Sequence, residues 1–248
     1  MFVQIKPMES DNIYNQLKKL LEESGGKYNI LEEQINIDLQ VEFFELINKL
    51  SKEKRDESEI LHKKERLFSS EASNEEKKQI LAEFSNTENP KTYRIIERFL
   101  DSDPGDLYQW AVLSLQHCRI SLETHLLDEQ QVFISTGLGG KGDKLRYFIV
   151  CKFKGDSEIK NSQKKALQAE FEISFSRYQS DIERLSYFDS YFSLLGLIPL
   201  DISINDMVKL AIQELNNYGN FIHDKFLVTN VKVLKKEEIA GHFKKMGI

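Results

Sequence analysis

The sequence predicts an α+β protein in two parts: a compact helical domain over residues 1–126, followed by a four-stranded α/β sandwich over residues 127–248. Three observations carry this. Residues 1–126 hold 17 basic and 24 acidic side chains and residues 127–248 hold 17 and 16, so the net charge changes from −7 to +1. The apolar period changes near the same point, from helical spacing to strands alternating with helices. A chain of 248 residues with 40% apolar and 30% charged side chains has the length and composition of one large or two modest globular domains.

Taken in order, Met1–Ile5 alternates apolar and polar residues, as a short strand or a docked terminus does. Ser10 can cap a helix carrying Ile13, Leu17, Leu20 and Leu21, which Gly25-Gly26 ends. Tyr28–Leu39 reads both as strand and as helix, and Val41–Leu50 reads as helix. Ser51–Arg66 is the most charged stretch and is expected to be a solvated helix or joint. Ser73-x-x-Glu76 is a capping-box pattern that starts a helix with Ile80, Leu81 and Phe84. Asn89-Pro90 places proline at a first helical position, where the missing N–H costs nothing, and Asp103-Pro104 is expected to repeat the device. The third helix runs on through Trp110, Ala111, Leu115, Cys118, Leu122 and Leu126. Short connections make these three helices antiparallel neighbours.

Within residues 73–126, the segment Asn89–His125 resembles a HEAT-type helical repeat. Arg98-Phe99-Leu100 ends a first helix, an Asp-Pro turn follows, and Trp110-Ala111-Val112-Leu113-Ser114-Leu115 lies in a second. Repeats of this kind stack to bind proteins or nucleic acids. About three units are needed for a stable stack, so the resemblance implies a compact helical domain here rather than an extended superhelix.

In the second half, Gln131–Ser135 and Leu145–Cys151 read as the arms of a β-hairpin joined by Gly137–Lys144. A helix is expected over residues 162–185, a strand centred on Phe192–Ile198, a helix from Ser203-x-x-Asp206 to Gly219, a strand over Phe226–Leu234 and a short helix over Lys236–Phe243. The resulting β-β-α-β-α-β order calls for a four-stranded sheet with two helices on one face. It resembles a permuted ferredoxin-like domain, a fold that hosts many functions. The stretch Leu127–Phe148 also resembles an uncharacterised bacterial cytosolic family, which implies no particular activity.

The loop from Ser135 to Arg146 is the most unusual feature. Four glycines fall within six residues, at Gly137, Gly139, Gly140 and Gly142. They free the backbone so that its N–H groups can approach a ligand. Ser135 and Thr136 add hydroxyls, and Lys141, Lys144 and Arg146 add positive charge. Such a loop can bind an acidic protein surface or a phosphate. It is not a phosphate-binding loop of the Walker type, because Asp143 follows Gly142 where that motif needs Lys-Ser or Lys-Thr. Gly137-x-Gly139-x-x-Gly142 matches the letters of the dinucleotide fingerprint, but a strand follows where a helix is required.

No other constellation points to chemistry. His117 and His125 lie eight apart without a metal-ligand pattern, and Cys118 and Cys151 fall on apolar stripes. The sequence therefore names no catalytic residue, metal ligand or cofactor. Two cysteines without a CxxC motif exclude a disulfide scaffold and fit a reducing cytoplasm. No apolar run reaches the length of a membrane span, and the polar N-terminus does not read as a signal peptide.

A near-neutral second half does not favour nucleic acid, although Phe148, on the strand face shared with Arg146 and Val150, could stack on a base. The function expected is a non-catalytic protein-interaction or adaptor module that uses the basic glycine-rich loop on a protein partner. The alternatives are a nucleotide- or phosphate-binding enzyme or sensor, and an RNA- or ribosome-associated protein. The oligomeric state is open.

Overall fold

The computed structural model describes residues 2–4, 28–52, 56–127, 132–155 and 159–248. The helix expected between Ser10 and Gly26 lies outside them. The architecture is α+β, with a helical region followed by an antiparallel sheet domain. The chain divides into two compact units. One is Ile35–Phe133; the other is discontinuous, combining Phe2–Gln34 with Ile134–Ile248.

The first unit holds helices α1 (Ile37–Leu50), α2 (Glu57–His62), α3 (Lys64–Phe68), α4 (Asn74–Ser85), α5 (Pro90–Asp101) and α6 (Tyr108–Leu127). The side chain of Ser73 accepts from the Glu76 N–H at 3.2 Å, and Asn89 accepts from the Lys91 N–H at 2.9 Å with Pro90 opening the helix. These two caps stand where the sequence places them. Asp103-Pro104 does not repeat the device. Asp103 has φ 54°, Pro104 leads into a short 3₁₀ turn over Gly105–Leu107, and α6 starts only at Tyr108.

Helices α4, α5 and α6 pack on one another, and α1 packs on α4 and α6. Trp110 to Ser114 are all buried, so this turn of α6 is enclosed around its circumference rather than carrying one apolar stripe, while Tyr108 at its start is exposed. Trp110 meets Phe43 edge-on with centroids 5.3 Å apart, and its indole N–H donates to the Lys78 carbonyl at 3.0 Å. At the other end of the helix Leu126 is exposed.

In the second unit, β1 (Phe2–Gln4), β2 (Tyr28–Ile30) and β3 (Val132–Ser135) form a small sheet in the order β1-β3-β2. The main sheet contains β4 (Gly140–Lys141), β5 (Lys144–Phe153), β6 (Asp181–Tyr187), β7 (Tyr191–Pro199) and β8 (Ile222–Thr229). Its long strands run in the order β6-β7-β5-β8, each neighbouring pair antiparallel, and β4 pairs the start of β5. The expected hairpin between residues 131–135 and 145–151 is therefore replaced. Val132–Ser135 belongs to the small sheet, and β5 turns back on the two-residue β4 instead.

Helices α7 (Asn161–Arg177), α8 (Ile204–Gly219) and α9 (Lys236–Met246) complete the unit. On one face of the sheet, Ile149, Cys151, Phe192 and Leu194 pack with Phe171 and Phe175 of α7 and Val208 and Ile212 of α8. On the other face, Phe148, Val150, Tyr191 and Leu227 pack with Ile239 and Phe243 of α9. Three expectations change here. Helix α7 stops at Arg177, and β6 occupies part of the range read as helix. Strand β8 begins and ends earlier than Phe226–Leu234. Phe148 is 3% exposed beneath α9 and offers no stacking surface.

Candidate functional site

The glycine-rich loop is an internal packing element over most of its length. Ser135, Thr136, Gly137, Gly139 and Gly140 are all buried, while Lys141, Gly142 and Asp143 are exposed. Gly139 has φ +66°, and a side chain there would collide with the backbone carbonyls of Glu32 and Glu33. A side chain at Gly140 would collide with the Lys144 carbonyl and with Ile30. The two glycines let the loop lie directly against the segment that follows β2, and this close approach accounts for them.

The loop's polar groups are turned inward as well. The Leu138 N–H donates to Asn230 O at 2.9 Å, and the Gly139 N–H donates to Thr136 O at 3.3 Å. The Thr136 hydroxyl donates to Gly139 O at 3.2 Å. Gly142 has φ +61° at the first central position of the two-residue turn joining β4 and β5, the place where a II′-type hairpin favours glycine. Its N–H donates to a carboxylate oxygen of Glu32 at 2.9 Å. An acidic group of the chain itself thus occupies the donor that sequence reasoning offered to a ligand.

The basic flank is committed too. Arg146 forms a two-pronged pair with Glu183, at 2.6 and 2.9 Å, and donates to Leu138 O at 2.7 Å. Lys144 pairs with Asp181 at 2.6 Å. Of the three cations, Lys141 alone is exposed, at the tip. Packing against residues 30–33 and pairing with β6 thus use most of the loop, and Lys141 is left at its exposed tip.

The other titratable candidates do not assemble. His117 is buried, its Nδ1 lies 2.9 Å from Ser85 O, and burial pushes its pKa down to about 4 against that hydrogen bond. Burial raises the Cys118 thiol to about 11 and the Cys151 thiol still further, so both are poor nucleophiles. Both cysteines are free. Among the described residues, no group of three or more His, Cys, Asp or Glu side chains is placed to hold a metal ion. No helix among them is long and apolar enough to cross a membrane.

A different surface gathers exposed functional groups. A groove of about 460 Å³ crosses the β6–β7 part of the sheet toward the start of α9, lined by Arg184, Ser186, Phe188, Tyr191, Lys235 and Lys236 among others. Phe188 and Tyr191 flank the two-residue turn between β6 and β7, closed by the Phe188 N–H donating to Tyr191 O at 2.9 Å. Their rings stack at 4.5 Å, and the Lys236 ammonium lies 5.5 Å from the Phe188 ring centre. Burial, then the nearby Glu237 charge, raises the Tyr191 pKa and keeps its hydroxyl protonated. The groove is thus cationic, with an aromatic floor at one end.

Sequence reasoning missed this groove because its residues come from separate elements. The readable signals were aromatic residues on both sides of Asp189-Ser190 and the Lys235-Lys236 pair at a helix start.

No family model and no curated protein matches the chain. Among solved structures it is similar to a REP-associated tyrosine transposase bound to a REP hairpin, at 11% identity over 41% of this chain and 68% of that one, with a TM-score of 0.32. It is similar also to a candidate transposase from Deinococcus radiodurans R1, at 14% identity over 44% of this chain and 92% of that one, with a TM-score of 0.33. At these TM-scores neither likeness bears on what the chain does.

Proposed function

We propose that the protein is a non-catalytic interaction module of a reducing cytoplasm, whose ferredoxin-like second unit presents the cationic groove to a protein partner. The ferredoxin-like reading rests on connectivity. From β5 onward the order is β-α-β-β-α-β, with the strands arranged fourth, first, third, second. This differs from the permuted form expected from the sequence, because β6 replaces the end of a helix.

The observation that carries the interaction reading is the groove itself. It combines exposed Arg184, Lys235 and Lys236 with a stacked aromatic pair, whereas the glycine-rich loop commits the Gly142 N–H, Lys144 and Arg146 within the fold and leaves Lys141 exposed. Aromatic and arginine side chains are the types that anchor protein interfaces. Two free, buried thiols suit a reducing compartment.

Affinity purification of the full chain from its native cell, with nuclease present, tests the reading. A partner protein should be recovered, and Arg184→Glu combined with Lys236→Glu should abolish that recovery with little change in melting temperature. Recovery undiminished by the two substitutions removes the groove from the interaction.

A further inference from the structure

Strand β6 ends the main sheet and, among the described residues, pairs with β7 alone. Its outer backbone edge is a template for another strand. The first half of that edge is guarded by Asp181 and Glu183 and by the irregularity between Ile182 and Arg184. Leu185, Ser186 and Tyr187 continue in regular register with β7 and are only partly buried.

Grooves flank this open half on both faces. On the α9 face, Arg184 and Ser186 point the same way as their partners Leu195 and Ser193, along the cationic groove. On the α7 face, a second groove of about 570 Å³ is lined by Phe175, Ile182 and Leu185, with Gln168, Glu172 and Ser176 at its polar side. Arg184 makes no ion pair among the described residues, and the Lys235 charge lies near enough to Glu238 to help lower its pKa.

Resting on the interaction reading above, we propose that an extended acidic segment of the partner protein adds to the sheet along β6, with acidic residues at alternate positions and apolar residues between them. Strand addition supplies backbone hydrogen bonds, and alternate side chains supply specificity. The period of two puts every second side chain against Arg184, Lys235 and Lys236, and the intervening ones against the partly buried Ile182 and Leu185. A nucleic-acid strand would use the cations but not the backbone edge, and the free cations are too few for a phosphate-binding track.

The test uses the full chain and a labelled peptide of about ten residues alternating Glu and Val. Fluorescence anisotropy should show binding, and Arg184→Glu should weaken it by about tenfold or more, equivalent to about 1.4 kcal/mol. Lys236→Gln, at an exposed helix start, should weaken it in the same direction. Amide hydrogen exchange at residues 184–187 should slow when the peptide is bound.

Equal binding of an alternating Lys and Val peptide, or binding without slowed exchange at those amides, overturns the proposal. So does single-stranded DNA that binds in place of the peptide with the same dependence on Arg184. If the peptide fails to bind while recovery of the native partner still depends on Arg184 and Lys236, strand addition is wrong and the interaction reading stands. If neither depends on them, both are wrong.

Discussion

Gly139 and Gly142 share a positive φ, at +66° and +61°, yet their surroundings differ completely. Nothing lies within 4 Å of a side chain added at Gly142, whereas one added at Gly139 meets two backbone carbonyls that have no flexible end to yield. Gly142→Ala should therefore cost only the left-handed backbone penalty, about 1 kcal/mol. Gly139→Ala should cost about 3 kcal/mol or more, since overpacking adds to strain. Urea denaturation of the two variants measures the difference, and equal losses would mean that the loop does not lie against residues 32–33. The sequence made the glycines visible but not their purpose: a close approach to backbone over 100 positions away leaves the same composition as an exposed nest. His117 illustrates a second residue-scale consequence. Its folded pKa of about 4 lies below the ordinary 6.5, so the unfolded chain takes up the proton first. Stability should be unaffected above pH 6.5, fall as the pH drops from there toward 4, and level off below, by about 3 kcal/mol in all. His117→Gln should flatten that part of the pH profile in thermal melts; an unchanged slope would assign it to other groups.

At the scale of elements, boundaries with a side-chain signature were legible, and boundaries made by backbone conformation alone were not. Ser73, Asn89 and Ser203 cap their helices as the sequence implies, because a short polar side chain accepting from an N–H two or three residues on is a local event. The end of α7 has no such signature. Gln179 adopts φ 52°, a conformation usually left to glycine or asparagine, and the chain turns there into β6. With neither residue present, the apolar spacing from Ala166 through Ile182 extended the helix into a strand on paper. Gln179→Gly should relieve the strain and raise stability by roughly 0.5–1 kcal/mol, a net of strain relieved against added unfolded-state entropy. A shift of the denaturation midpoint to higher urea checks this, and destabilisation would show that Gln179 contributes through its side chain. The candidate groove was hidden for a related reason: it depends on β6, which the extended helix had erased.

For the whole molecule, the change in charge and apolar period puts one boundary at 126–127, whereas the two compact units of the structure meet at 34–35 and again at 133–134. The earlier boundary, at 34–35, was invisible, because a reading that runs along the chain treats each domain as continuous. Residues 28–34 instead complete the second unit. Leu31 donates to Ile134 O at 3.0 Å, Glu32 receives the Gly142 N–H, and Ile30 lies against Gly140. Leu31 itself is fully buried. A chain of residues 127–248 alone would expose the apolar surface that Leu31 covers and strip β3 of both its neighbours in the small sheet. Residues 1–34 joined to 132–248 by a short glycine-serine linker keep β3 whole and restore those contacts, and the Leu31–Ile134 hydrogen bond shows that the two segments lie close enough to join. The joined chain should melt in one cooperative transition. The 127–248 chain should melt at a lower temperature, without a sharp transition, and bind a hydrophobic dye. Equal cooperativity in the two would mean that the N-terminal residues decorate a fold already complete, and Gly139 and Gly140 would then lose their structural explanation.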